Sequence, residues 1–260
     1  MNEPNIPTNY AAPQPVGAPV KSTAETLTDI FFEPGETFEA LRQRPRFLVA
    51  GLIILALTLL FTFVMFQRIN FEQFMRAQIE NSPRADQMSP EQKEQAIRMQ
   101  SGTLGKAIAY GAPPIVLAIV FAAGGALYLL GTMAMAGSIS YKQAISVWVY
   151  SSLPPGVLFT IANVLVLFLK SPDDIDPTQA QGGFVTANPS FLLGAGASPV
   201  WKAALGSLDL FAFYGLFLAA LGLRQVGRLS SGAAWAVVLI IWLIGIVMKV
   251  GWAAAFGRAM

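Results

Sequence analysis

Two charges stand inside otherwise apolar sequence, Asp209 and Lys249, and any chemistry would start from them. Asp209 lies five residues into the run 204–223, and Lys249 lies seven residues before the end of the run 233–256. If successive runs cross a membrane antiparallel, both charges fall on one side, at depths of roughly 8 and 10 Å at the helical rise. Asn163, near the end of the run 144–169, falls at about 9 Å by the same arithmetic. Tyr110, followed by Pro113-Pro114, enters the run 107–136 at that level. Ionisable groups in a bilayer are costly, so they pair, line a polar path or reach for water. Three expectations follow. Asp209 and Lys249 form a neutralising pair that fixes helix register, with Asn163 as a hydrogen-bonding helper; or the layer is a small-solute or ion site; or each charge snorkels to water separately.

Most other chemistry is closed. The chain has no Cys and no His. That removes thiolate nucleophiles, disulfides and Cys-ligated metals, together with the commonest metal ligand and the usual general base near neutral pH. Asp173, Asp174 and Asp176 lack the Gly and the bidentate Glu of a calcium loop and read as an acidic turn. Gly194 and Gly196 are not followed by the Lys-Ser/Thr of a phosphate loop. Ser207 with Lys249 could imitate a Ser/Lys hydrolase, but no nucleophile motif surrounds Ser207. No catalytic residue, metal or cofactor is expected. A net charge of +2 is too small for nucleic-acid binding.

The elements that position this layer follow from composition. Charged residues are 12% of the chain, against about 25% in soluble domains, so a water-compatible surface cannot be built. Five apolar runs, 47–66, 107–136, 144–169, 204–223 and 233–256, hold only Asp209 and Lys249 as charges. Each is long enough for a hydrocarbon core of about 30 Å. Alternating polarity is absent, which argues against a β-barrel, and helices satisfy their own backbone in lipid. The expected fold is an all-α integral membrane bundle of five transmembrane helices. Pro154-Pro155-Gly156 interrupts the third run and predicts a kink, a feature transporters use to line substrate sites. Small residues at packing spacing (Gly124 and Gly131, Gly215 and Ala219, Gly251 and Ala255) predict close helix contacts and allow a homo-oligomer.

Residues 1–25 carry five prolines and no apolar run. They lack the pattern of a secretory signal and are expected to be a disordered tail, leaving the first span as an uncleaved anchor. Segment 26–46 reads as two amphipathic turns broken at Pro34-Gly35 and stopped by Pro45. It is expected to lie on the membrane with Arg42, Arg44 and Arg46 near lipid phosphates. In the polar insertion 67–106, Phe71, Phe74, Met75 and Ile79 form a stripe on a helix that could continue the first span. Ser89-Pro90-Glu91-Gln92 is a capping box that predicts a second helix over 90–100. The connection 170–203 is acidic, then Gly-rich, with Phe184, Phe191, Leu192 and Leu193 as membrane-surface contacts. Lys/Arg density beside the spans, from Arg42, Arg44, Arg46, Arg224 and Arg228, places the N-terminus in the cytoplasm and the C-terminus outside, although the raw tally of basic residues leans the other way.

Three stretches in this order, FFEPGETFEALRQRP before the first span, SYKQAISVWVYSSLP entering the third and SLDLFAFYGLFLAALGL in the fourth, resemble the Yip family of Ypt/Rab-interacting membrane proteins, in its bacterial branch. The likeness covers roughly 27–256, with Ser207–Phe211, Tyr214 and Gly222 its most distinctive piece. It implies a non-enzymatic five-span protein of the bacterial inner membrane with a cytoplasmic N-terminus, acting as a scaffold, membrane organiser or trafficking-related adaptor with membrane-protein partners. Eukaryotic members are associated with prenylated small GTPases and vesicle traffic. Their Asp-Leu-Tyr-Gly-Pro and Gly-Tyr-Gly motifs are missing here, so the resemblance does not carry small-GTPase binding to this chain. A transporter or channel built on Asp209, Lys249 and Asn163 is the alternative.

Overall fold

The computed structural model describes residues 21–257 except 83, 84 and 195. Residues 1–20 of the tail expected over 1–25, and Arg258, lie outside the described residues. Ten α-helices follow in order: α1 (Thr23–Phe32), α2 (Pro34–Gln43), α3 (Leu48–Arg68), α4 (Phe71–Glu80), α5 (Pro90–Ser101), α6 (Thr103–Ala134), α7 (Tyr141–Leu169), α8 (Pro199–Gly206), α9 (Leu210–Gly227) and α10 (Ser231–Phe256). Among the described residues there is no strand. Five helices, α3, α6, α7, α9 and α10, are long and apolar enough to cross a membrane.

The third span, α7, is the hub. It packs against α3, α6 and α9, and it also receives α1 and α2. Val147, Tyr150 and Leu153 of α7 share one buried core with Leu218 and Leu223 of α9 and Val237 of α10. At Pro154-Pro155-Gly156, where a kink was expected, the backbone stays α-helical, and α7 runs as one helix through both prolines. The prolines withdraw the donors to the Tyr150 and Ser151 carbonyls. Ser151 and Ser152 donate their hydroxyls to the Trp148 carbonyl at 3.0 and 2.8 Å. Gly215 of α9 lies so close that a Cβ there would be 3.7 Å from the Ser151 carbonyl oxygen. Neighbouring protein therefore covers the bare backbone, which is how a bilayer helix tolerates proline.

The fourth span is also corrected. It begins at Leu210 rather than 204, because the apolar run contains two helices, α8 and α9, separated at 207–209. An apolar count cannot see that break; the cap can. Asp209 is the N-cap of α9, accepting from the Phe211 and Ala212 N–H groups at 2.9 and 3.4 Å.

Three further expectations meet the structure with different results. Ser89 and Gln92 exchange their two capping bonds, and α5 runs from Pro90 to Ser101. The stripe at Phe71–Ile79 does not continue the first span: Asn70 starts a separate helix by accepting from Glu72 N at 2.8 Å and Gln73 N at 3.3 Å. At the N-terminus the helix starts at Thr23, inside the stretch expected to be disordered, on a Ser22/Glu25 capping box.

Candidate functional site

The polar groups singled out in the sequence collect at the end of the bundle that carries α4, α5 and α8, here the far end; the near end carries α1 and α2. Trp235 and Trp252, both partly exposed on α10, mark the two levels. They stand about 26 Å apart along the helix, close to the separation of interfacial aromatic belts. Lys249 lies one turn inside the far belt. Asp209 sits where α9 begins, at that same boundary.

Asp209 and Lys249 line a groove of about 310 Å³ between α9 and α10, with Trp148, Trp242, Tyr128 and Ser207. They share the groove without touching. Among the described residues no ion pair joins them, and the expected neutralising pair is not formed. Asp209 spends one oxygen on its cap and accepts from Asn188 Nδ2 at 3.2 Å with the other. A carboxylate at a helix N-terminus is stabilised by N–H donors and the helix dipole, so it has no need of a lysine. Lys249 is exposed at the far end of that groove. The Ser207 hydroxyl donates to the Ala203 carbonyl at 2.8 Å, which leaves it without an activating base.

Asn163 and Tyr110 belong elsewhere. Asn163 is fully buried, and its Oδ1 accepts from the N–H groups of Phe184 and Val185 at 2.5 and 3.1 Å. Its Nδ2 donates to the Phe159 carbonyl at 2.9 Å. It pins the Gly-rich connection to α7. Gly183, at φ +87, makes the turn that allows this: a Cβ would stand 2.6 Å from Phe159 and 2.8 Å from Asn163 Oδ1. Phe184 is buried beneath that turn, whereas Phe191 and Leu192 are exposed. Asp176 caps its own turn by accepting from Thr178 N at 2.9 Å. Tyr110 packs edge-on against Phe66, with ring centroids 5.8 Å apart, beside a separate cavity of about 490 Å³ that includes Glu72 and Lys106. Asp209 and Lys249 share a groove, but the four polar residues do not form one site.

At the near end, sequence reasoning missed more. Segment 26–46 does not lie free on the membrane. Ile30, Phe38 and Leu41 are fully buried and join the core of α7 and α9. Phe38 enters where Gly222 leaves room; a Cβ on Gly222 would stand 2.9 Å from the Phe38 ring and 2.7 Å from Val147. Thr26 and Tyr150 share a hydroxyl–hydroxyl hydrogen bond at 3.2 Å, and Gln143 donates to the Arg42 carbonyl at 2.7 Å. Lys21 clamps α1 to α2 through Asp29 at 2.7 Å and Glu36 at 2.8 Å. Those two carboxylates hold the Lys21 ammonium well above the ordinary lysine range, and Lys21 in turn holds Glu36 below its ordinary value of 4.5.

The basic flank divides accordingly. Arg42 is paired with Glu39, Arg44 is exposed, and Arg46 donates to Thr23 Oγ1 at 3.0 Å and the Lys21 carbonyl at 2.7 Å. A hydroxyl in the middle of an apolar run, as at Tyr150, is the signal that would have pointed to the docked hairpin.

An all-helical chain with five spans around a central α7 defines a multi-pass membrane protein. The Yip1 domain model matches residues 28–252, so the chain belongs to the Yip1 domain family. It is 23% identical over 224 residues to the membrane protein YknW of Bacillus subtilis (strain 168), across 86% of this chain and 88% of that protein. No solved structure matches the chain significantly.

Proposed function

We propose that the protein is a non-enzymatic scaffold of the bacterial inner membrane that presents its α1–α2 hairpin as a rigid platform to membrane-protein partners. The observation that carries this reading is the seating of Ile30, Phe38 and Leu41 in the bundle core. Burial of three large side chains fixes the hairpin relative to the spans, as a presenting surface requires. Its outer face keeps Phe32 84% exposed and offers Glu25, Glu33 and Glu36 to water. The far-end polar residues support the same reading, since Asp209 and Asn163 are occupied as a cap and a loop anchor.

The hairpin end is taken as cytoplasmic. Arg44, Lys142, Arg224 and Arg228 stand exposed there beside the spans. At the other end Arg68 is held by the Leu167 and Lys170 carbonyls and Arg76 by Glu72 and Glu94, while Lys106 and Lys170 stand exposed beside the two long connections. Free cations flanking short loops are retained inside.

Reconstitution tests the function. Proteoliposomes are expected to show no ion or solute flux above empty vesicles, and a photo-cross-linker at position 32 is expected to give a discrete membrane-protein adduct in cells. A flux that disappears with Asp209→Asn or Lys249→Met would replace the scaffold with the transporter.

A further inference from the structure

A second cavity, of about 340 Å³, lies at the near end between the start of α1, the α2–α3 connection and the first turns of α7. Its polar wall is Thr23, Arg46, Lys142 and Tyr150; its apolar wall is the beginning of α3, where Leu48 and Val49 are 69% and 46% exposed. It therefore opens on one edge to lipid and on the other to the membrane surface.

Among the described residues no carboxylate balances the charge in this cavity. Arg46 donates only to neutral oxygens, Thr23 Oγ1 and the Lys21 carbonyl. Among the described residues Lys142 has no carboxylate partner. The acids that could have served are engaged elsewhere: Asp29, Glu33 and Glu36 by Lys21, Glu39 by Arg42, and Glu25 by the Ser22 N–H. The first turn of α3, whose Leu48 and Val49 line the same wall, has no side-chain cap either. Two cations beside a lipid-facing apolar strip call for an anion that carries a hydrocarbon tail.

We propose that this cavity binds the headgroup of an anionic phospholipid. Arg46 and Lys142 hold the phosphate, with Arg46 offering the planar donor fork suited to it, and an acyl chain lies along Leu48 and Val49. The site differs from a diffuse basic flank because its cations come from two elements distant in sequence and Arg42 has no part in it. It stands independently of the scaffold reading. Because Arg46 also holds the first turn of α1, the lipid would brace the hairpin on the bundle.

The test is native mass spectrometry of the full chain in mild detergent, with phosphatidylglycerol and phosphatidylcholine in equal amounts. The intact protein is expected to retain phosphatidylglycerol preferentially. Lys142→Gln, at an exposed residue whose loss does not threaten folding, should cut that preference about fivefold, the effect of one basic residue at an anionic surface. Arg46→Gln should cut it at least as far. Arg228→Gln, on the same end but outside the cavity, should leave it unchanged. Unchanged preference in folded Lys142→Gln would overturn the site, as would an equal loss in Arg228→Gln. Displacement of the lipid by millimolar glycerol phosphate would overturn the lipid as the occupant.

Discussion

The two ends of the bundle are closed by different physics. At the near end, apolar side chains close it: Phe38, Ile30 and Leu41 sink between α7 and α9, and the polar bonds of Thr26, Gln143 and Arg46 align what burial has brought together. At the far end, hydrogen bonds to loop backbone close it: Asn163 holds 184–185, Arg68 holds the exit of α7, and Asp209 starts α9. Burial is worth more than a net hydrogen bond and does not depend on direction. The near end is thus built for rigidity, while the far end is built to hold a long connection in one conformation.

The comparison is broken most directly by Phe38→Ala. Removing a fully buried aromatic should cost about 3–5 kcal/mol, read as a large fall in the unfolding temperature in detergent. If it costs no more than a surface change, the hairpin is not part of the core. Asn163→Ala comes next. It leaves two N–H donors unmet in a buried place, at about 1–3 kcal/mol each, and hydrogen exchange should rise over 182–186 while the hairpin stays protected.

Asp209 and Lys249 sharpen the far end. Asp209→Ala should lose about 1 kcal/mol as a helix cap, Asp209→Asn should retain most of that cap, and Lys249→Met should change stability by less than about 0.5 kcal/mol. The double variant should be additive, because the two side chains do not touch. A coupling energy well above zero would restore the ion pair.

The smallest effect is on pH. Glu36 is held below its ordinary value by Lys21, so its contribution is present above about 4.5 and is lost as pH falls through the depressed value. Lys21 is raised, so its contribution is present below the ordinary lysine value and is lost only in strong alkali. Hydrogen exchange across α1–α2 should therefore loosen once pH falls far enough below 4.5 to protonate Glu36, and stay flat from neutral to mildly alkaline pH.

Much of the fold was legible in the sequence because its signals are local. Apolar run length located five spans, Pro34 marked the hairpin turn, and Ser89 with Gln92 marked the start of α5. What was not legible depends on partners. The pattern that buries Ile30 and Phe38 in protein is the same pattern that would lay them on lipid, and periodicity does not name the surface opposite. Asp209 read as an intramembrane charge because apolar counting merged α8 with α9. The Ser-Leu-Asp sequence before an apolar helix was a cap signal in its own right. Asn163 showed its polarity but not its partner, a backbone stretch 21 residues away.

The seat of the hairpin also sets an order of assembly. The hairpin docks on residues made much later than itself, Leu218 to Val226 of the fourth span. While the ribosome is still working, Ile30, Phe38 and Leu41 have no place to go. Seating is therefore a report that four spans are in place, and a chain that stops short leaves those three side chains uncovered at the membrane surface, where a quality-control protease can find them.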